Sequence, residues 1–420
     1  MTSRTTAASR TAPTPAPAPS AMLIAVLALL SAVTPFSIDM YLSAFPDMAT
    51  EFNTSASTIQ LTLTSFLIGL ALGQLLIGPL SDQFGRRRPL LIGTFACLIA
   101  SVLCIVAPSI QVLIGLRFVQ GFAGAAGVVI ARAIIADRAQ GAAAARLFAA
   151  MMVIGVLAPI TAPVLGGFIV AGWGWRTVFA VLAAMNLLML VGAAFFAAES
   201  LPVERRRPGG LASLAGGMRA VLSNRRYLGY TLALGFASTA MFAYIAASPF
   251  VLQNILGFSP REYSLVFGAC ALAVATAGML SARLVRSVHP RTLLIGGVSA
   301  MVVVTALQLI NVTVAGVPLW STIALMAAFM GTVGFTFSNA TTLALEQVRA
   351  AAGTGSAVLG FLQYTLGAAA TPLVGLAGDA SAVPMGIVML TAAALAATAI
   401  IALTRNRKTS SPTPQLVTTS

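Results

Sequence analysis

Long apolar runs alternate along the chain with short polar segments. Runs such as "LLIGTFACLIASVLCIVAP" at 90–108 hold no charged residue, and their length matches the ~20 residues that an α-helix needs to cross a membrane. They lack the alternation of polar and apolar residues that marks membrane β-barrel strands. The pattern therefore predicts transmembrane helices. Twelve such spans, numbered 1 to 12 in chain order, lie at 21–45, 58–80, 89–107, 110–136, 147–171, 175–197, 227–251, 262–284, 291–311, 318–345, 353–377 and 382–403.

The polar segments divide these spans into two groups of six. The longest interior polar segment, 198–226, follows span 6 and contains "ERRRPGG" and "SNRRY". We therefore predict an all-α polytopic membrane protein with one six-helix bundle at 21–197 and a second at 227–404, joined by this linker. The tails at 1–20 and 405–420 are expected in the cytoplasm, and the first is rich in Ser, Thr, Ala and Pro, which is typical of disorder.

The two halves resemble each other faintly. "GPLSDQFGRRRPLL" at 78–91 has an echo in "GMLSARLVRSVHPRTLL" at 278–294, which keeps the Gly, the Leu, the Ser and one Arg. Three further pairs of identical or similar residues lie 209 positions apart: Asp137 and Glu346, Pro163 and Pro372, and Gly166 and Gly375. Such repeats favour a duplicated six-helix unit, with a substrate path between the repeats.

Charge is scarce and lies almost wholly between the spans. The chain is 8% charged and 58% hydrophobic with a mean hydropathy of +0.95, which excludes a soluble globular protein. With both termini in the cytoplasm, all but four of the 24 Lys and Arg residues fall on the cytoplasmic side. The exceptions are Arg176 and Arg261 outside and Arg117 and Arg132 within spans. The net charge of +14 is therefore interpreted as a topology signal, and no nucleic-acid partner is expected.

Two ionisable residues lie inside the spans toward their outer ends. Asp39 stands in "PFSIDMYLSAF" of span 1 and Arg117 in "GLRFVQGF" of span 4. At 1.5 Å per residue, Asp39 lies about 10 Å below Pro46 and Arg117 about 14 Å below Pro108, so the two could meet directly or through water. A carboxyl group in such surroundings can carry protons in response to substrate or conformation. The alternatives are a static structural pair or an Asp that faces outer water.

The loop between spans 2 and 3, "GPLSDQFGRRRP", concentrates charge on one turn. Asp82 can cap the following turn or pair with Arg86, and Asp137 at the end of span 4 offers a further carboxylate on the same side. Gly78 and Gly85 allow close helix approach and a tight turn. The simpler interpretation of the arginine run is that it only fixes the topology.

Span 5 contains the run "GVLAPITAPVLGGF". Two prolines, Pro159 and Pro163, each remove a backbone hydrogen bond and favour a kink. Gly155, Gly166 and Gly167 allow neighbouring helices to approach closely. The combination predicts a pivot or a tight helix contact.

Several kinds of chemistry are not expected. The three cysteines, Cys97, Cys104 and Cys270, lie in apolar runs and indicate neither a disulfide framework nor a metal site. No phosphate-binding "GxxxxGK[ST]" motif is present, and the single histidine, His289, lies in a loop without a metal-ligating cluster. We predict no enzyme activity, no cofactor and no metal.

The motifs resemble those of a known family. "GPLSDQFGRRRP" is similar to the loop 2–3 signature of the major facilitator superfamily, "RFVQGFAGAAG" to its helix 4 signature, and "APITAPVLGG" to the helix 5 signature of its drug:proton antiporters. "SIDMYLSAFPDMA" and "FAYIAASPFVLQNILGFS" are similar to helices 1 and 7 of the Bcr/CflA-type multidrug exporters. Two departures stand out: Ser43 replaces a common Pro, and Ala162 precedes Pro163 where that family commonly has Gly.

The resemblance implies two packed bundles that work by alternating access, with protons flowing inward as drug leaves. Asp39 would bind the proton with Arg117 as its coupling partner, and the loop 2–3 residues together with Asp137 would form a cytoplasmic latch. Six residues are candidates for lining the substrate cavity or its outer gate: Tyr41, Gln120, Tyr244, Phe250, Gln253 and Asn254.

The expected function is proton-coupled export of small amphipathic drugs across a bacterial cytoplasmic membrane. The expected partners are a small-molecule drug, protons and the lipid bilayer, with the chain acting as a monomer and phenicol-like compounds among the candidate substrates. One alternative is a transporter of the same fold for an amino acid, a sugar or a siderophore. Another is a membrane protein that transports nothing, such as a sensor or an intramembrane enzyme.

Overall fold

The structure is a computed structural model that describes residues 21–138, 141–206 and 210–404. Within these ranges it is all-helical, and twelve helices are long and apolar enough to cross a membrane. The predicted all-α fold with twelve spans is confirmed, and the chain is a multi-pass membrane protein. The tails predicted at 1–20 and 405–420 lie outside the described residues.

The first half contains spans 1 to 6. Span 1 is a helix at Ala21–Asp39, continued by a 3₁₀ turn at Leu42–Ala44 and a short helix at Phe45–Glu51. Spans 2 to 6 are the helices Ala56–Phe84, Arg87–Ile105, Ile110–Arg138, Gly141–Trp173 and Trp175–Phe196.

The second half follows a 3₁₀ turn at Val203–Arg205 and a linker helix at Gly210–Leu222. Span 7 is the helix Arg225–Pro249 with a π-helical end at Phe250–Ile255. Spans 8 to 10 are Pro260–Leu284, Pro290–Thr313 and Leu319–Glu346. Span 11 is Ala352–Ala370, between 3₁₀ turns at Arg349–Ala351 and Thr371–Gly375, and span 12 is Val383–Thr404.

Polar residues at the span ends explain where several helices begin. Ser55 accepts a hydrogen bond from the backbone N–H of Thr58 at the start of span 2. Ser259 and Glu262 form a capping box at the start of span 8. Such caps satisfy backbone donors that have no partner within the helix.

Small residues hold spans 2 and 4 against each other. A methyl group at Gly69 or Gly73 of span 2 would overlap with the backbone of span 4 near Phe118 and Phe122. A methyl group at Gly121 of span 4 would overlap with the carbonyl of Phe66 in span 2. Helices in a membrane gain stability from such close backbone approach, because lipid supplies no hydrophobic drive between them.

The hydrogen bonds between the two halves lie at one end of the molecule, the end that holds the connection between spans 1 and 2. Four hydrogen bonds join the halves in the described part of the chain, and all four lie at this end, which we call the loop 1–2 end. The opposite end, with the arginine-rich connection between spans 2 and 3, is the loop 2–3 end. The four bonds are Ser57–Pro372, Gln60–Ala246, Thr64–Thr371 and Gln253–Ser43.

Candidate functional site

Asp39 lies at the break in span 1, where the first helix of the span ends. The residue is buried, with 6% of its surface exposed, and its side chain has no hydrogen bond or ion pair among the described residues. Its carboxyl group interacts electrostatically with three tyrosines of the second half, Tyr244, Tyr263 and Tyr364. Asp39 therefore faces the interface between the halves.

Arg117 is fully buried inside the first half. Its Nη2 donates to the carbonyl oxygen of Ser37 at 2.8 Å, and its Nη1 donates to Oε1 of Gln120 at 2.6 Å. The guanidinium carbon lies 4.3 Å from the ring centres of both Tyr41 and Phe66. Cation–π contacts and hydrogen bonds thus hold a charge that would otherwise be costly in a membrane interior.

The predicted contact between Asp39 and Arg117 is not formed in this structure. Arg117 binds Ser37 and stacks on Tyr41, which lie on either side of Asp39 in sequence. Arg117 thus contacts span 1 at the level of Asp39, as the sequence predicted, but it does so through the Ser37 carbonyl and the Tyr41 ring and forms no ion pair with the Asp39 carboxylate.

A polar chain extends from Arg117 into the first half. Nε2 of Gln120 donates to Oγ of Ser101 at 2.7 Å, and Nδ2 of Asn186 donates to the same oxygen at 3.2 Å. Ser101 and Asn186 were not candidates from sequence, because single polar residues in apolar runs give no signal of their own. The chain links spans 3, 4 and 6 and anchors the guanidinium from behind.

A second charged cluster, which we call the latch, lies at the loop 2–3 end. Arg86 is 8% exposed. Its Nε lies 3.0 Å from Oδ2 of Asp137, and its Nη1 pairs with Asp82 and donates to Oγ of Ser81 at 2.7 Å. The predicted carboxylate partners are therefore in place, and Ser81 adds an acceptor. All of these residues belong to the first half.

Glu199, after span 6, is a part of the latch that the sequence did not reveal. Its carboxylate accepts hydrogen bonds from the backbone N–H groups of Arg86 at 2.8 Å and Arg87 at 3.3 Å. Partial burial raises the pKa of this carboxyl group. Hydrogen bonds from the backbone of Leu201, Arg86 and Arg87, together with the charge of Arg206, have the larger opposite effect, so the pKa is lowered overall. Glu199 therefore stays ionised at neutral pH. It provides hydrogen-bond acceptors for the backbone N–H groups of the turn before span 3.

Gly85 makes this turn possible. Its φ of +89° belongs to a backbone region that residues with a Cβ rarely adopt, and a methyl group here would overlap with the Glu199 carboxylate. The tight turn predicted at Gly85 is present. The close helix approach predicted at Gly78 is absent. A methyl group there would meet only Val129 of span 4 at 3.7 Å, which is an ordinary contact distance.

We expect Asp137→Asn to reduce the maximal transport rate more than Asp82→Asn, with little change in the affinity for substrate. Asp137 is 19% exposed and also accepts a hydrogen bond from Ser200, whereas Asp82 is 43% exposed. Hydrogen bonds to charged groups contribute about 1.5–3 kcal/mol to the stability of a folded state, whereas exposed ion pairs contribute about 0–1 kcal/mol. Initial rates over a range of substrate concentrations measure the effect. A loss of affinity alone would place these residues in the binding site instead.

The glycine pair of span 5 faces two neighbours at once. A methyl group at Gly166 would overlap with the backbone of Met40 in span 1, next to Asp39. A methyl group at Gly167 would overlap with Ser264 and with the carbonyl of Pro260 in span 8 of the other half. Span 5 thus lies between the two halves at this level. Pro159 and Pro163 lie within its helix, about two turns and one turn before the pair.

Gly155 does not have the predicted packing role. Among the described residues, no neighbouring segment comes within 4 Å of the position that a methyl group would take there. The prediction of close helix approach is therefore wrong at Gly155 and correct at Gly166 and Gly167.

Gly166→Ala should lower the transport rate strongly, because the added methyl must push span 5 away from the turn that carries Asp39. Gly155→Ala lies in the same helix and is the matched control, for which we expect unchanged transport. Transport assays at equal expression and the thermal stability of the purified proteins measure both. Equal activity of the two variants would contradict the packing argument.

The six candidate cavity residues have different surroundings. Tyr41 and Gln120 are fully buried within the first half around Arg117, so the cavity-lining prediction is wrong for these two. Tyr244 is buried and stacks on Phe267, and its hydroxyl group lies beside the thiol of Cys270. Asn254 donates to Asp379 on the exposed surface of the second half.

Phe250 and Gln253 contribute to the closed loop 1–2 end. The ring of Phe250 lies 6.2 Å from that of Phe45, and Nε2 of Gln253 donates to the carbonyl of Ser43 at 3.1 Å. We call the groups that close this end the seal. It consists of Ser43, Phe45, Ser57, Gln60 and Thr64 from the first half and Ala246, Phe250, Gln253, Thr371 and Pro372 from the second.

Metal chemistry finds no support in the described ranges. No group of three or more His, Cys, Asp or Glu side chains there is placed to hold a metal ion. The three cysteines are buried and free.

Known proteins similar to this chain point to one family. The Major Facilitator Superfamily matches residues 27–372. The chain is 38% identical over 389 residues to the "Uncharacterized MFS-type transporter YdgK" of Bacillus subtilis (strain 168), with 92% of this chain and 96% of the relative covered. It is 30% identical over 364 residues to a "Bicyclomycin resistance protein homolog" of Haemophilus influenzae, with 87% and 91% covered.

The fold is also that of a solved transporter. A bacterial homologue of the human lysosomal transporter Spinster, in an inward-facing and occupied conformation, aligns with a TM-score of 0.71 and 16% sequence identity. The alignment covers 91% of this chain and 96% of that one.

Proposed function

We propose that this chain, which belongs to the major facilitator superfamily, exports small amphipathic drugs from a bacterial cytoplasm in exchange for protons. The family and the relatives are transporters and not enzymes. The observation that carries the proposal is Asp39, a buried carboxyl group between the two halves with no counter-charge in contact. The relative named for bicyclomycin resistance supports a drug as the cargo.

The proposed orientation places both termini and the loop 2–3 end in the cytoplasm of a bacterial cell membrane. The distribution of Lys and Arg supports it through the positive-inside rule. In this orientation the seal closes the extracellular side.

Asp39 is proposed to carry the proton. An ionised carboxylate buried without a counter-charge is costly, and a bound proton removes that cost. When the seal opens, Asp39 meets the extracellular side and takes up a proton; when the seal closes, the proton leaves to the cytoplasm as drug binds. Transport is driven by the proton gradient, with no cofactor.

Arg117 is proposed to link movement of span 1 to proton binding at Asp39. It does so through its hydrogen bond to the backbone of span 1 and not through an ion pair with Asp39. It holds the carbonyl of Ser37 and the ring of Tyr41, so the break that carries Asp39 is fixed to the polar chain of the first half. A shift of span 1 against this anchor would move the carboxyl group relative to Tyr244 and Tyr263 of the second half.

The cargo is proposed to be neutral or weakly basic, with phenicol-like compounds as first candidates. Asp39 is the carboxyl group placed between the halves, and an acidic drug would be repelled by its ionised form. The protein is proposed to act as a monomer.

A growth screen tests the proposal. The chain is expressed in a drug-hypersensitive bacterial host on a panel of antibiotics, and the screen is repeated with the proton gradient collapsed. We expect raised resistance to at least one amphipathic drug, lost without the gradient. Uptake of a sugar or an amino acid without any resistance would assign the chain to metabolite transport.

A further inference from the structure

A groove on the outer surface of the second half plays no part in the proposed transport cycle. It lies between spans 9 and 12 and has a volume of about 340 Å³. Val298 and Ile400 form a buried floor, and Ile295 and Ile401 are exposed rims at 44% and 61%. The remaining lining residues are Arg291, Ser299 and Ala397.

The groove opens at the loop 2–3 end of the molecule. Span 8 begins at Pro260 beside the Gly167 contact near the seal and runs away from it, so span 9 begins at Pro290 at the opposite end. Arg291 is in the first turn of span 9, and Ser299 lies about 12 Å further into the membrane. The groove therefore leads from the membrane surface into the hydrocarbon region.

Arg291 is the polar group at the entrance of this groove. Its Nη2 donates to the carbonyl oxygen of Thr404 at 3.3 Å, and its Nε is shielded from solvent without a hydrogen-bond partner in the described chain. A guanidinium has five N–H donors in a fork that matches a phosphate group. Most of this donor capacity is unused.

Positive charge near the entrance is not balanced within the described residues. Arg225 donates to the carbonyl of Ala402, also at the end of span 12. The ion pairs found in the described ranges include neither Arg225 nor Arg291.

We propose that this groove binds one anionic phospholipid, with the phosphate on Arg291 and an acyl chain along the apolar floor. The exposed isoleucine rims exclude a polar solute, and the excess of positive charge selects an anionic headgroup over a zwitterionic one. Basic pockets between transmembrane helices bind anionic lipids in this way. The site is independent of the proposed cargo.

Native mass spectrometry of the full-length protein in detergent tests the site, with phosphatidylglycerol and phosphatidylcholine of identical acyl chains as probes. We expect one retained phosphatidylglycerol and about tenfold weaker retention of phosphatidylcholine. Arg291→Gln should lower phosphatidylglycerol retention about tenfold, and Arg291→Lys should retain most of it. Ala397→Phe, which fills the groove and keeps the charge, should abolish retention. Arg283→Gln, at the same end on span 8, is the matched control and should bind as wild type.

Three outcomes would overturn the proposal. They are wild-type retention by both Arg291→Gln and Ala397→Phe, equal retention of the two lipids, and displacement of the lipid by millimolar inorganic phosphate, which would identify a simple anion site. Size-exclusion profiles identify any variant that fails to fold. If either Arg291→Gln or Ala397→Phe fails to fold, lipid retention by the other variant tests the proposal.

Discussion

Asp39→Asn should abolish drug-driven proton release and reduce drug transport against a gradient to the level of membranes without the protein. Asparagine has nearly the shape of aspartic acid but cannot take up or release a proton. Because the Asp39 side chain makes no hydrogen bond or ion pair among the described residues, the substitution should leave the fold and the amount of protein in the membrane unchanged. A pH indicator with purified protein and drug measures proton release directly.

Asp47→Asn is the matched control for this experiment. Asp47 lies in the same span but is exposed near the loop 1–2 end, so its substitution should change neither proton release nor transport. If Asp39→Asn transports normally against a gradient, Asp39 is not the coupling carboxyl.

A disulfide across the seal should arrest transport completely. The hydroxyl groups of Thr64 in span 2 and Thr371 after span 11 are in direct contact, so the double variant Thr64→Cys/Thr371→Cys places two thiols within bonding reach. Alternating access requires this end to open, and a covalent link prevents it. Drug transport in vesicles is measured after oxidation and again after addition of a reductant, which should restore it.

The single variants, Thr64→Cys and Thr371→Cys, are the controls for the disulfide. Each should transport after oxidation, since the native cysteines are buried and offer no accessible partner. Undiminished transport by fully cross-linked protein would mean that the seal does not open during the cycle.

Much of the fold could be predicted because the bilayer imposes it. A helix must hide its backbone from lipid and be long enough to cross, so apolar run length gave span 4 as 110–136 against Ile110–Arg138 and span 6 as 175–197 against Trp175–Phe196. The ends were less accurate where a helix continues beyond the hydrocarbon. Span 2 extends to Phe84 and span 1 resumes at Phe45–Glu51, both through polar residues that hydropathy does not assign to a span.

The site was only partly predictable, because depth can be read from sequence but rotation about a helix axis cannot. The sequence predicts Asp39 and Arg117 at the same level, but packing directs the Arg117 guanidinium to the Ser37 carbonyl and leaves it without an ion pair to Asp39. Gln120, a candidate for lining the cavity, instead accepts a hydrogen bond from the buried Arg117. Glu199 lies 113 residues from Arg86, and only the folded chain brings the two together.

The uneven role of the span 5 glycines also matters for engineering. Glycine inside a helix costs about 0.5–1 kcal/mol relative to alanine, and Gly166 and Gly167 retain that cost because two neighbouring backbones occupy the space of a side chain. Gly155 has open space around it and no such constraint. Gly155→Ala is therefore a rational first substitution for a thermostabilised protein, suited to the purification that drug-complex structures require.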